Sequence, residues 1–80
     1  MARILWTEPA LEIFLELPPH EQQTIEQKVQ LLGLFLDMYP ARRIGRFRGH
    51  RYFLAGRWLV YYRRRGDTVY IRNLWPARIP

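Results

Sequence analysis

Apolar residues recur at helical spacing in the first half of the chain, after a short strand candidate at residues 2–6. Leu11, Phe14 and Leu15 lie on one helical stripe, with glutamates on the opposite side. The pattern therefore predicts a first helix over about residues 8–17, which two consecutive prolines end.

A second helix is predicted over about residues 19–38, because Ile25, Val29 and Leu32 continue at helical spacing. Its last turns, residues 31–36, are apolar nearly all round. Either this end is buried on two sides, between the first helix and a sheet, or it presents an apolar patch to a partner. Two-sided burial is the interpretation that we favour.

Short runs of aromatic and β-branched residues, separated by glycine-containing turns, predict strands in the second half of the chain. The runs are residues 52–54, 58–63 and 68–74, and a Gly-Asp turn predicts a hairpin between the last two. Both faces of the 58–63 run are apolar, which is typical of a central strand. The element order predicts one α+β domain covering all 80 residues. In it, an N-terminal strand and a two-helix hairpin precede a three-stranded antiparallel meander.

The composition narrows the class of protein. With 49% hydrophobic and 25% charged residues, the chain is expected to be globular. The absence of cysteine excludes a disulfide framework, and two histidines argue against a His-rich metal site. There is no long apolar run and no signal-peptide pattern, so we expect a cytoplasmic protein that does not enter a membrane.

Charge is distributed unevenly along the chain. Residues 1–39 hold six acidic and two basic residues, whereas residues 40–80 hold eleven arginines and one aspartate. Twelve of the thirteen basic residues are arginine, which suits bidentate contacts to phosphate or carboxylate. The second half therefore predicts a polyanionic partner, either nucleic acid or an acidic protein.

Several reaction classes are set aside by the residue types present. The chain has no glycine-rich phosphate loop, no histidine pair at metal-ligand spacing and no serine, and no cofactor is predicted. What remains is arginine beside aromatic residues on a sheet, which could neutralise phosphates, stack bases or stabilise the transition state of metal-free RNA cleavage. The alternative is that most aromatics are core and that residues 63–65 are a solvated run. The candidate target-contacting residues are Arg46, Arg48, Arg57, Arg63, Arg72, Trp58 and Tyr62.

Five segments resemble the toxins of the RelE/ParE superfamily, in the order in which those toxins carry them. They are the opening Ile-Leu-Trp-Thr-Glu-Pro-Ala-Leu at 4–11, the proline-ended second helix, and residues 45–49, 56–63 and 75–78. The resemblance implies the toxin half of a bacterial type II toxin–antitoxin module. It also implies neutralisation by an acidic antitoxin, for which Leu31, Leu34 and Phe35 are the expected contacts.

The resemblance leaves two targets open. RelE-like toxins cleave mRNA on the ribosome with basic residues and a C-terminal tyrosine, whereas ParE-like toxins lack these residues and poison DNA gyrase. Arg51 and Arg78 match basic positions of the RelE-like site and are the catalytic candidates if the protein is a nuclease. Trp58, however, stands where RelE-like toxins place arginine, and the tyrosine-bearing segment is missing. We therefore favour a ParE-like toxin without catalytic activity over an mRNA interferase. A third interpretation is a binding module that has lost toxicity.

Overall fold

The computed structural model describes residues 3–34, 41–43, 45–46 and 48–77. It confirms the α+β class and the predicted order of elements. The elements are β1 (Arg3–Trp6), α1 (Glu8–Leu15), α2 (Pro19–Leu32), β2 (Arg51–Ala55), β3 (Trp58–Arg65) and β4 (Thr68–Pro76).

The strands form one mixed sheet in the order β1-β4-β3-β2. β2, β3 and β4 are the predicted antiparallel meander, and β3 is an interior strand. β1 lies on the far side of the meander, where it pairs with β4 in parallel. Thr7 fixes this junction, because its backbone N–H and its hydroxyl both donate to the carbonyl of Ile71, at 3.0 and 2.8 Å. The two helices therefore connect the edge strand β1 to the meander.

Both helices are shorter than their sequence patterns predict. α1 ends at Leu15, and α2 ends at Leu32 with Gly33 as its C-terminal cap. The predicted extension of α2 is wrong at Gly33 and Leu34, which form a turn, and residues 35–38 lie outside the described residues. Glycine weakens a helix because it has the largest backbone entropy to lose, and this effect prevails over the apolar pattern here.

The helices pack on one face of the sheet and form the core with it. Phe14 of α1 contacts Trp6 of β1, with ring centroids 4.7 Å apart. Ring packing also joins Phe53 of β2 to Tyr62 of β3 at 6.0 Å. The buried set is Ala10, Phe14, Ile25, Val29, Leu32, Phe53, Ala55, Val60, Tyr62, Val69, Ile71 and Leu74. The opposite face of the sheet has no helix among the described residues.

A β-bulge interrupts the pairing of β3 with β4. Tyr61 lies opposite Asn73 and Tyr62 lies opposite Ile71, so Arg72 is an extra residue on β4. Strict alternation would place residues two apart on one face, yet Ile71 and Leu74 are three apart and both are buried. The bulge accounts for this spacing and leaves Arg72 exposed.

The apolar end of α2 is not buried on two sides, as the sequence pattern had led us to expect. Leu32 is fully buried, but Leu31 is 48% exposed and Leu34 is 64% exposed. Only one side of this turn meets the sheet, so the alternative interpretation, an exposed apolar patch, is the correct one for these two leucines. Phe35 lies outside the described residues.

Candidate functional site

The face of the sheet that turns away from the helices carries a mixed aromatic and basic surface, which we call the open face. Its members follow from the strand register, since residues directly paired across strands share a face. An aromatic and aliphatic group occupies the middle, and arginines occupy the end that bears the β3–β4 turn. The open-face residues are Arg3, Leu5, Tyr52, Leu54, Leu59, Tyr61, Arg63, Arg65, Thr68, Tyr70, Arg72, Asn73 and Trp75.

The segment before β2 packs against part of the open face. Its start is anchored to β2 by the pairing of Ala41 with Arg51 and by the Arg42 N–H, which donates to the carbonyl of His50. The Arg42 guanidinium donates to the Tyr61 hydroxyl at 3.2 Å, and Tyr61 is buried as a result. Farther along, the Arg46 guanidinium lies 5.8 Å from the centre of the Trp75 ring, within cation–π range. This contact places Arg46 on the open face, and its role as a target contact stays a prediction.

Arginines converge where the β3–β4 hairpin turns. A cleft of about 370 Å³ is lined by Arg63, Arg64, Arg65, Tyr70 and Arg72, and we call it the hairpin cleft. A neighbouring cleft of about 320 Å³ is lined by Gly49, Arg51, Arg63, Arg64 and Gly66. Of the residues selected from the sequence, Arg63 and Arg72 line the hairpin cleft, and Arg51 lines the neighbouring cleft together with Arg63. The exposed Arg48 precedes Gly49, which lines that second cleft.

Arg57 and Trp58 lie at the opposite end of β3 and contact one carboxylate. Glu21, in the first turn of α2, accepts a hydrogen bond from Arg57 Nε at 2.7 Å and another from Trp58 Nε1 at 2.9 Å. These two donors lower the pKa of Glu21, with a smaller opposing effect from desolvation. Because β3 has eight residues, a rise of 3.3 Å per residue separates its two ends by roughly 23 Å. Arg57 and Trp58 therefore do not share a site with the hairpin arginines.

The structure contradicts one predicted target contact, Tyr62. Its side chain is 0% exposed and packs on the helix side of the sheet, so it cannot meet a target on the surface. Tyr62 lies in an aromatic strand, and burial of its ring in the core of so small a domain is more favourable than its exposure on the surface. Trp58 is half-buried against the same core. Arg78, the second catalytic candidate, lies outside the described residues.

Three lining residues and one carboxylate were missed by the analysis of the sequence. From the sequence, Arg63 is a candidate contact, whereas Arg64 and Arg65 are predicted only as part of a solvated run and Tyr70 only as a strand residue. The two-residue Gly-Asp turn could have identified Tyr70, because that turn fixes the register and sets Tyr70 directly opposite Arg63. Nothing in the local pattern indicated Glu21, whose partners are 36 and 37 residues away.

No group of three or more His, Asp or Glu side chains lies close enough together in the described part of the chain to hold a metal ion. No helix among the same residues has the length and apolarity needed to cross a membrane.

Comparison with known proteins identifies the fold. No protein-family model matches the chain, and no curated protein matches it in sequence. One solved structure that it resembles is a chain of the "Chromosomal ParDE TA system from P. aeruginosa", with a TM-score of 0.72 and 16% sequence identity. The match covers 98% of this chain and 98% of that chain. The resemblance inferred from the sequence is therefore confirmed at the level of the fold: the protein has the ParE-like fold of a chain in a toxin–antitoxin system.

Proposed function

We propose that the protein is the toxin of a bacterial type II toxin–antitoxin module, acting in the cytoplasm and neutralised by a cognate acidic antitoxin. The observation that carries this proposal is the likeness to a chain of a ParDE system over nearly the full length of both chains. The match leaves only 2% of either chain uncovered, so a chance similarity confined to one motif would not explain it.

The apolar patch at the end of α2 is the antitoxin contact in this proposal. Leu31 and Leu34 are both largely exposed, and they flank Gly33, which lies beside Ile4 of the edge strand β1. Exposed apolar patches on small proteins mark interaction sites, because leaving them in water is unfavourable. An acidic partner would add attraction to the basic second half of the chain. Phe35, also predicted as a contact, belongs to the same stretch of sequence.

DNA gyrase is the target that we propose, in preference to ribosome-bound mRNA. A metal-free nuclease needs several basic groups converging on one scissile phosphate. Glu21 accepts from both Arg57 and Trp58, and the nearest hairpin-cleft residue on β3, Arg63, lies five residues from Trp58, roughly 16.5 Å along the strand. Arginines do converge at the hairpin cleft, but Trp58 occupies the strand position at which RelE-like toxins carry arginine, and its indole N–H donates to Glu21. The absence of a basic side chain at that position supports inhibition by binding over RNA cleavage. We propose accordingly that the protein is not an enzyme and requires no cofactor.

The test uses two assays on the purified protein. We expect it to block supercoiling of relaxed plasmid by DNA gyrase, while transcripts in a ribosome-containing translation reaction stay full length. Tyr62→Ala, which removes a buried core ring, is the inactive control. Cleaved transcripts with normal supercoiling would reassign the protein to the mRNA interferases, with Arg51 and Arg78 as catalytic candidates. If both reactions proceeded normally, the proposed function would be wrong.

A further inference from the structure

We propose that the hairpin cleft is a binding site for single-stranded nucleic acid, with arginines contacting phosphates and Tyr70 stacking on a base. The inference rests on the geometry of the cleft and holds whether or not the protein inhibits gyrase. It also replaces the interpretation of residues 63–65 as a solvated run.

Strand geometry places the cleft residues at regular intervals on the open face. Arg63 and Arg65 are two residues apart on β3 and thus point to the same side, with Cα atoms roughly 6.6 Å apart. Tyr70 lies directly opposite Arg63 on β4, in a strand roughly 4.8 Å away. Arg72, two residues beyond Tyr70, belongs to the same side and is the extra residue of the bulge. Three arginines of the open face therefore line the same cleft as Tyr70.

Among the residues that the structure describes, Arg63, Arg65 and Arg72 form no ion pair, whereas Arg57 is paired with Glu21. All three are exposed. The acidic residue of the hairpin turn, Asp67, has a carboxylate oxygen 3.4 Å from the Thr68 hydroxyl. Like charges gathered without a counter-ion in the described part of the chain favour an anionic ligand that repeats its charge at short intervals.

A second contact orders the edge of the cleft. Arg64 lies opposite Val69, on the helix side of the sheet, yet its side chain turns back toward the hairpin. Its Nε donates to the Gly66 carbonyl at 2.7 Å. Gly66 has a φ of 62°, a left-handed conformation that glycine adopts without strain, and this turn aims the carbonyl at Arg64. The turn therefore orients a fourth guanidinium at the rim.

The half-buried ring of Tyr70 distinguishes nucleic acid from an acidic peptide. A phosphate chain and an acidic peptide would both satisfy the arginines, but only the nucleic acid brings a flat base for the tyrosine face. Bases of a duplex are stacked on one another and offer no free face, so the arrangement favours a single strand. Arginine in place of lysine also matches bidentate contact to phosphate.

The experiment measures the binding of a fluorescein-labelled oligodeoxythymidine 12-mer to the full chain by anisotropy, over a series of salt concentrations. For single strands the slope of log K against log salt is about −0.7 per phosphate neutralised. We expect Arg65→Gln and Arg72→Gln each to make the slope less steep by about 0.7. Arg43→Gln is the matched control, because Arg43 is exposed and removes the same charge but does not line the cleft.

Tyr70 supplies an independent measurement on the same probe. Replacement by leucine keeps an apolar side chain on the strand but removes the stacking face, so we expect affinity to fall by about fivefold or more. A duplex of the same length should bind more weakly than the single strand at equal salt. Equal slopes for Arg43→Gln and Arg65→Gln would overturn the proposal, since binding would then follow net charge alone. So would displacement of the oligonucleotide by a glutamate-rich peptide at lower concentration than by unlabelled oligonucleotide.

Discussion

Glu21 joins the helical layer to the sheet through a single carboxylate oxygen. Its side chain is only 11% exposed, whereas that of Arg57 is 70% exposed. The indole N–H of Trp58 completes the group, so a polar contact satisfies a tryptophan that is half-buried against the core. The start of α2 is thereby fixed to the turn between β2 and β3.

This contact predicts a pH-dependent difference between the protein and its Glu21→Gln variant. Hydrogen bonds from Arg57 and Trp58 lower the pKa of Glu21 in the folded state below its ordinary value of 4.5. The stabilisation is therefore fully present above about pH 4.5 and is lost as the pH falls through the folded-state pKa. We expect thermal unfolding followed by circular dichroism to show a melting-temperature gap that narrows below that pH.

Glu26→Gln is the control for that comparison, because Glu26 is exposed on the same helix and the substitution removes the same charge. Its melting temperature should track that of the unchanged protein across the range. A gap for Glu21→Gln that stayed constant from pH 7 to pH 3 would contradict the assignment.

Single residues also show why an aromatic strand is hard to interpret from sequence. Tyr61 and Tyr62 are adjacent, both are buried, and they lie on opposite faces of β3. Tyr62 belongs to the helix side, whereas Tyr61 is covered from the other side by the segment that carries Arg42. The composition of the strand does not reveal that Tyr61 is covered, since that coverage comes from a segment distant in sequence.

At the scale of elements, turn chemistry made the meander predictable. Gly56 and Gly66 both have positive φ, at 60° and 62°, and both turns were located from glycine alone. The pairing of β1 with β4 was not predicted. Which strand β1 pairs with depends on how the two helices connect it to the meander, and the sequence of its four residues does not contain that information. The bulge was missed for a similar reason: Ile71 and Leu74 are inconsistent with simple alternation until the partner strand is known.

The bulge predicts that β4 can tolerate a deletion at one position. Removing Arg72 leaves Ile71, Asn73 and Leu74 in regular alternation, with both apolar residues still facing the core. We expect this deletion to change the free energy of unfolding by no more than about 1 kcal/mol in urea titrations. The same variant should lose affinity for the labelled oligonucleotide.

Deletion of Tyr70 is the contrasting variant within the same strand. It forces either Val69 or Ile71 onto the open face, which exposes a side chain whose burial is worth about 1.5–3 kcal/mol. The deletion at Arg72 should therefore be the milder of the two. The opposite ranking would show that the bulge is required for the fold.

For the whole molecule, acidic and basic residues are divided between the helical layer and the sheet. The glutamates belong mainly to α1 and α2, whereas the arginines gather at the hairpin end of the sheet. The sequence predicted this division, since it follows from the two halves of the chain. The hairpin cleft itself could not be predicted, because it depends on which arginines the register and the bulge bring together.

The apolar patch at the end of α2, which we call the leucine patch, is expected to be needed for antitoxin binding but not for folding. We expect the double variant Leu31→Glu, Leu34→Glu to fold normally, because both residues are exposed, with stability changed by about 0.5 kcal/mol or less per site. An acidic antitoxin should bind it at least about a hundredfold more weakly by calorimetry, as expected for two contacts of about 1.4 kcal/mol each.

Glu12→Lys is the control for the leucine patch. Glu12 is exposed on α1, outside the patch, so antitoxin affinity should be kept or should rise slightly. Unchanged affinity of the leucine double variant would place the antitoxin elsewhere on the molecule.

The measurement that tests the central claim most directly is bacterial growth after induced expression of this chain, with and without coexpression of the product of the adjacent gene. A toxin of a type II module should stop growth within a few generations, and coexpression of its neighbour should restore growth. Tyr62→Ala, which removes a core ring, should be harmless in both cultures. Normal growth under strong expression of the folded, unchanged protein would contradict the toxin assignment.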